Sequence, residues 1–141
     1  MNIDLLKKEF PYLEICDDKI LIDNELSKLL FFLKNNYEFS FDILISIIAV
    51  DYLTHIELIY SLLSTKFNEK INVSINIIDS IESISTIFPS AYFDECEIYD
   101  LFGINFIGNK ELKRLLMPKT WIGHPLRKTY ELTDERLSWN G

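Results

Sequence analysis

The chain has 141 residues, 48% of them hydrophobic and 26% charged, the proportions of one globular domain that can bury about two-thirds of its unfolded surface. Its 22 acids against 14 bases give a net charge of -8, which argues against general nucleic-acid binding. Its 2 cysteines are too few for a disulfide framework, a tetrahedral zinc site or a four-cysteine iron–sulfur site, no apolar run reaches the ~18–20 residues of a membrane span, and MNIDLLKKEF lacks the order of a secretory signal, so a reduced cytosolic setting is expected.

In chain order, the first strong signal is a helix in which Leu26, Leu29, Leu30 and Leu33 form one apolar stripe, with Asp23 or Asn24 as its expected cap. Three strands follow. Phe41 to Ala49 has apolar odd positions, Ile56 to Leu62 has apolar even positions, and Ile71 to Ile77 alternates Ile71, Val73, Ile75 and Ile77 with Asn72, Ser74 and Asn76. Short polar connections favour an antiparallel meander covered on one face by helix. The expected fold class is therefore α+β, a two-layer domain whose antiparallel or mixed sheet is covered by helices. Residues 1–103 form its body, and residues 104–141 an irregular basic arm.

Ser83–Phe88 reads as a short helical turn stopped by Pro89, and a second helix as running from about Ser90 to Phe102, with Gly103 as its C-terminal cap. On that helix Ile98, Leu101 and Phe102 share an apolar face with Glu95 at its edge. At ~100° per residue Glu97 and Asp100 are neighbours, whereas Glu95 and Glu97 point apart and cannot close on one metal. Cys96 reads as a small buried hydrophobe, Cys16 carries no signal, and His55 reads as an exposed strand residue beside Glu57. Neither a dinucleotide-binding glycine loop nor a P-loop is present.

Charge is unevenly spread. Between Ile104 and Tyr130 six bases (Lys110, Lys113, Arg114, Lys119, Arg127, Lys128) face one acid, Glu111, in a stretch punctuated by Gly108, Pro118, Gly123 and Pro125. A basic, turn-rich segment on an acidic chain reads as an arm with its own contact surface, anchored by Trp121, Arg127 and Tyr130. His124, inside Gly-His-Pro, sits in a constrained turn that can aim its imidazole at a partner.

These residues carry a resemblance. Glu95-Cys-Glu-Ile-Tyr-Asp-Leu-Phe-Gly-Ile-Asn-Phe106 resembles the Glu-Arg-Glu-x-x-Asp-(Leu/Met)-(Phe/Tyr/Leu)-Gly-Ile-x-Phe signature of the 30-kilodalton subunit family of NADH–quinone oxidoreductase (respiratory complex I). Leu115-Leu-Met-Pro118 and Trp121-Ile-Gly-His-Pro-Leu-Arg-Lys-Thr-Tyr130 resemble two further stretches of that family, as do Ala49-Val-Asp-Tyr52 and Glu57 to Ser64 upstream. The chain departs from the pattern at Cys96, where the family has Arg, at Asn109-Lys110, at Thr129 and at Glu131.

The resemblance implies a peripheral-arm subunit with no catalytic residue and no cofactor of its own, in a complex that uses NADH, flavin, iron–sulfur clusters and quinone. It further implies docking on the quinone-site subunit (or a nickel–iron-hydrogenase-like one) and on neighbouring iron–sulfur subunits at the cytoplasmic face of the membrane. The expected partner-facing residues are Glu95, Glu97, Asp100, Gly103, Arg114, Trp121, His124, Arg127, Lys128 and Tyr130. Alternatives are the equivalent small subunit of a membrane-bound energy-converting hydrogenase or another complex I-like dehydrogenase, then a stand-alone carboxylate enzyme built on Glu95, Glu97, Asp100 and His124, or an acidic adaptor.

Overall fold

The alternation of apolar residues in Ile71 to Ile77 makes β5 (Glu69–Ile77) the middle of a mixed sheet, described here with the rest of residues 1–130 of a computed structural model. β5 pairs antiparallel with β4 (Ile56–Ser64), which pairs antiparallel with β3 (Ile43–Asp51), the expected meander. On its other side β5 runs parallel to β2 (Lys19–Ile22), which forms a hairpin with β1 (Glu14–Cys16), so the sheet order is β1-β2-β5-β4-β3. The parallel pair makes the sheet mixed.

α1 (Ile3–Glu9) and α2 (Leu26–Asn35) cover one face. All four leucines of the α2 stripe are buried in one core with Leu58, Tyr60 and Leu62 of β4 and Ile71, Val73 and Ile75 of β5. Each such leucine contributes roughly 1.5–3 kcal/mol of burial before ordering costs are subtracted. Neither Asp23 nor Asn24 caps α2. Its cap residue is Glu25, in a left-handed conformation, and the free Ser27 N–H donates instead to the Glu82 carboxylate, 3.2 Å away. A distant acid thus does the work that local spacing assigned to a neighbour.

β3 departs from simple alternation. Its register against β4 shifts between Leu44 and Ser46, so Leu44 and then Ile47 point into the core while Ile43, Ile45 and Ile48 point out. One extra residue in a strand reverses which parity faces inward, so the odd-position rule fails ahead of the bulge.

Past β5 the chain makes β6 (Ser80–Glu82), the Ile84–Phe88 turn and α3 (Ala91–Phe102). α3 packs against β3, and the Asp94 carboxylate accepts the outward N–H of Ile47 at 3.3 Å. Gly103 ends α3 with φ 76°, returning its N–H to the Tyr99 carbonyl, the expected glycine cap. β7 (Asn105–Ile107) then pairs parallel with β6. Ile104 and Phe106 are fully buried, so the hydrophobic core continues past Gly103.

Candidate functional site

The site begins with a carboxylate. Asp100 lies in the last turn of α3 with 0% exposure, while its helix neighbour Glu97 is exposed. Its Oδ2 accepts three successive backbone N–H groups, from Leu115 (3.1 Å), Leu116 (2.6 Å) and Met117 (2.9 Å). Its Oδ1 accepts from Arg114 Nη1 at 2.9 Å. Burial pushes this carboxyl up, but the N–H groups of Met117 and Leu116, the Arg114 guanidinium and the Leu115 N–H outweigh it, and the net shift is downward.

The same guanidinium donates to the carbonyls of Asp100 (3.1 Å) and Gly123 (2.9 Å), so Arg114 ties the helix end to both limbs of the arm. His124 closes the loop, its Nδ1–H donating to the Asp100 carbonyl at 3.0 Å. That ring lies on Gly103, where a Cβ would stand 2.5 Å from its Cδ2. His124 is therefore held against the end of α3 through Nδ1 while the residue stays half-buried. Gly103 is needed twice, for its left-handed cap and for this contact.

The arm is fastened again at Asp51, at the end of β3. Its Oδ2 accepts the Lys128 N–H at 2.9 Å and faces Arg127 Nε at 3.6 Å, while its Oδ1 accepts the Leu53 N–H. The Lys128 N–H leads in holding the Asp51 carboxyl below its ordinary range. Arg127 also reaches the Phe102 carbonyl (3.4 Å), Leu126 N–H bonds the Leu101 carbonyl (2.9 Å), and the Tyr130 ring packs on Gly123. Backbone-directed side chains thus dock the arm on its own body.

Between residues 114 and 130 the contacts that fasten the arm to the body are polar. What the arm turns outward is apolar: Leu116 is 66% exposed, Ile122 77% and Leu126 52%, with Lys119 and the Lys128 side chain among them. Trp121 is half-buried.

Glu95, like Asp100, is a carboxylate with 0% exposure. It accepts from Ser83 Oγ (2.7 Å), Ile84 N–H (2.8 Å) and Asn109 Nδ2 (2.9 Å). Burial raises its carboxyl above the ordinary range despite these donors. Glu95 and Asp100 are therefore internal fasteners, both fully buried within this chain. Glu97 is exposed. Glu95, Asp100 and His124 are each engaged by structural partners and Glu97 is exposed, so the four side chains are not brought together on one point.

Cys96 is buried with its thiol 3.7 Å from the Glu111 carbonyl, and exposed Cys16 lies in β1 at the opposite edge of the sheet from the strand that α3 covers. Among the described residues no three His, Cys, Asp or Glu side chains are placed to hold a metal. His55 is half-buried just before β4, stacked on Tyr52, and not an exposed strand residue. Asp51 and Asp94 escaped the sequence reading because the Lys128 and Ile47 N–H groups they accept lie far along the chain, and Asn109 because its acceptor is the buried Glu95 carboxylate of the preceding helix.

This arrangement, a helix ending in a capped glycine with a carboxylate gripping a returning Leu-Leu-Met-Pro limb, follows the order of the motifs in the sequence. The family described as respiratory-chain NADH dehydrogenase, 30 Kd subunit, matches residues 21–136. The chain belongs to that family. NADH dehydrogenase (ubiquinone) iron-sulfur protein 3 of Beta trigyna is 40% identical over 113 residues, covering 77% of this chain and 59% of that protein. An NADH-quinone oxidoreductase subunit of Herpetosiphon aurantiacus is 33% identical over 144 residues, 93% of this chain and 83% of that one. The chain thus spans 59% of the length of that plant relative. A chain of the membrane-bound sulfane sulfur reductase, an archaeal respiratory membrane complex, superposes with a TM-score of 0.76 at 22% identity, covering 93% of this chain and 84% of that chain, a likeness of fold. Among the described residues of this family member, no helix is long and apolar enough to cross a membrane.

Proposed function

We propose that this chain is a non-redox subunit of the peripheral arm of an NADH–quinone oxidoreductase of complex I type, docking through residues 114–130 on the subunit that forms the quinone pocket. Family membership supports the class of complex, and the names of the relatives supply NADH and quinone as donor and acceptor. One observation carries the docking role. The arm satisfies its polar groups on its own body and turns Leu116, Ile122 and Leu126 to the outside. A solvated loop has the reverse arrangement, and an outward cluster of this kind needs another surface to cover it.

In this reading α3 and the sheet are a platform, Asp100 and Asp51 fix the arm's path, and Glu97, Arg127 and Lys128 meet the partner at the rim. Electron transfer belongs to the flavin, iron–sulfur clusters and quinone of neighbouring subunits, at the cytoplasmic face of the membrane. The test is co-purification of the complex with Leu116→Asp and Ile122→Asp. Loss of two central apolar contacts should weaken binding by about 2 kcal/mol or more, roughly 30-fold, with an unchanged melting temperature. Undiminished recovery of the partner subunit with either variant overturns the role of the arm.

A further inference from the structure

The face of the five-stranded sheet that no described helix covers is built differently from the face under α1 and α2. The bulge in β3 turns Ile43, Ile45 and Ile48 outward, each between 42% and 49% exposed. Ile48 lies opposite Ile59 of β4, and Ile43 opposite Leu63, both half-buried on that same face. Small Ser46 and Ser61 sit between these pairs, and the next strand, β5, presents Asn72, Ser74 and Asn76. The apolar ground is therefore two strands wide, about 10 Å, and about 23 Å long from Ile43 to Val50. Those are the dimensions of a single helix of ~15 residues.

At the hairpin end this strip runs directly into a hollow of about 370 Å³, since the Val50–Glu57–Asn76 row follows the Ile48–Ile59–Ser74 row. Its walls include Tyr12, Glu14, Asp23, Tyr52, His55 and Glu57. Lys19 occupies the Glu57 carboxylate at 2.6 Å, with the Tyr52 hydroxyl at 3.2 Å. Glu14 and Asp23 are exposed and make no ion pair among the described residues. The hollow thus carries uncompensated negative charge between aromatic rings, the complement of an ammonium or guanidinium group.

We propose that this sheet face is a second docking surface, separate from the arm, for an amphipathic basic helix of a partner subunit. The helix lies with its apolar side along β3 and β4 and places one lysine or arginine in the hollow. The proposal rests on the subunit reading above, and the experiment separates the two. A photo-reactive residue is placed at position 48 or, in parallel, at position 122 of the full chain in its native host, and adducts are mapped in the purified complex. The expected result at position 48 is a segment of a stoichiometric partner subunit that has helical apolar spacing and a Lys or Arg within a turn of the adduct. The double variant Glu14→Arg with Asp23→Arg should cut that yield at least tenfold, leaving the circular dichroism and the adduct at position 122 unchanged. Capture at 122 with none at 48, a self-adduct between two copies, a captured segment without a basic residue, or indifference to the charge reversal each overturns the sheet proposal alone. Capture at neither position overturns the arm reading with it.

Discussion

The sheet and the arm solve opposite problems with the same chain. In the sheet, apolar side chains go inward and backbone groups satisfy one another across strands. Between residues 114 and 130 no ladder exists, so Asp100 and Asp51 of the body and the arm's own Arg114 guanidinium satisfy the backbone, and apolar side chains are left facing out. Asp100 alone takes up three consecutive N–H groups of the arm. Order without a hydrophobic core is thus available to a turn-rich segment when a buried ion receives its N–H donors.

The largest effect that would break this comparison comes from where the chain is cut. Truncation after Gly103 removes Ile104 and Phe106 from the core and the partner strand of β6, and should unfold the body, each lost core residue costing about 2–5 kcal/mol. Truncation after Lys113 removes only the polar-docked limb and should preserve the far-ultraviolet circular dichroism. Equal stability of the two fragments would place the boundary at Gly103 after all.

Next in size is the carboxylate itself. Asp100→Ala strands the Arg114 guanidinium and three N–H groups in a dry site and should cost about 3–5 kcal/mol in denaturant unfolding. Exposed Glu97→Ala, three residues away, should stay within ~0.5 kcal/mol. A small effect for Asp100→Ala would mean the arm is held elsewhere.

Gly103→Ala sharpens the contact between the regions. A non-glycine residue in the left-handed conformation costs about 1–2 kcal/mol, and the new methyl would displace the His124 ring. The histidine ring resonances should move, while those of the α2 leucines remain. An unshifted ring would show that it does not rest on Gly103.

The smallest effect is a divergence with pH. Asp100 and Asp51 have lowered pKa values when folded, so their support is complete above the ordinary aspartate value of ~3.9 and disappears as pH falls through their folded values. Glu95 is raised, so folding gains from it as pH falls from its raised value towards the ordinary ~4.3. Amide resonances of Leu115 to Met117 and Lys128 should therefore hold through mild acid and shift only below about pH 3.9, after those around Ile84 have responded. Arm amides that move first would reverse the assignment.

Much of the sheet was legible because alternation in β4 and β5 is a local pattern, and α2 and the Gly103 cap were legible for the same reason. The bulge in β3 was not, because an inserted residue leaves the sequence apolar on both parities. The parallel pairing of β2 with β5 and of β6 with β7 was hidden because β2, β6 and β7 are too short to show a period. At the site, the arm was legible from charge, turns and motif order. The inward orientation of Asp100, Glu95 and His124 was not, because a carboxylate that binds distant backbone N–H groups looks, in sequence, like one that binds water.

The N–H of Ile47 points out from the last strand of the sheet and is taken up by Asp94, while the other border strand, β1, is only three residues long. Open strand borders recruit strands from other molecules and seed aggregates. A protein made apart from its complex spends time alone at the concentration of the cell, with its apolar contact surfaces bare. In the assembly proposed above, covering one border at Ile47 with a helix carboxylate and shortening the other would favour side-chain docking over polymerisation through the backbone before the chain meets its partner.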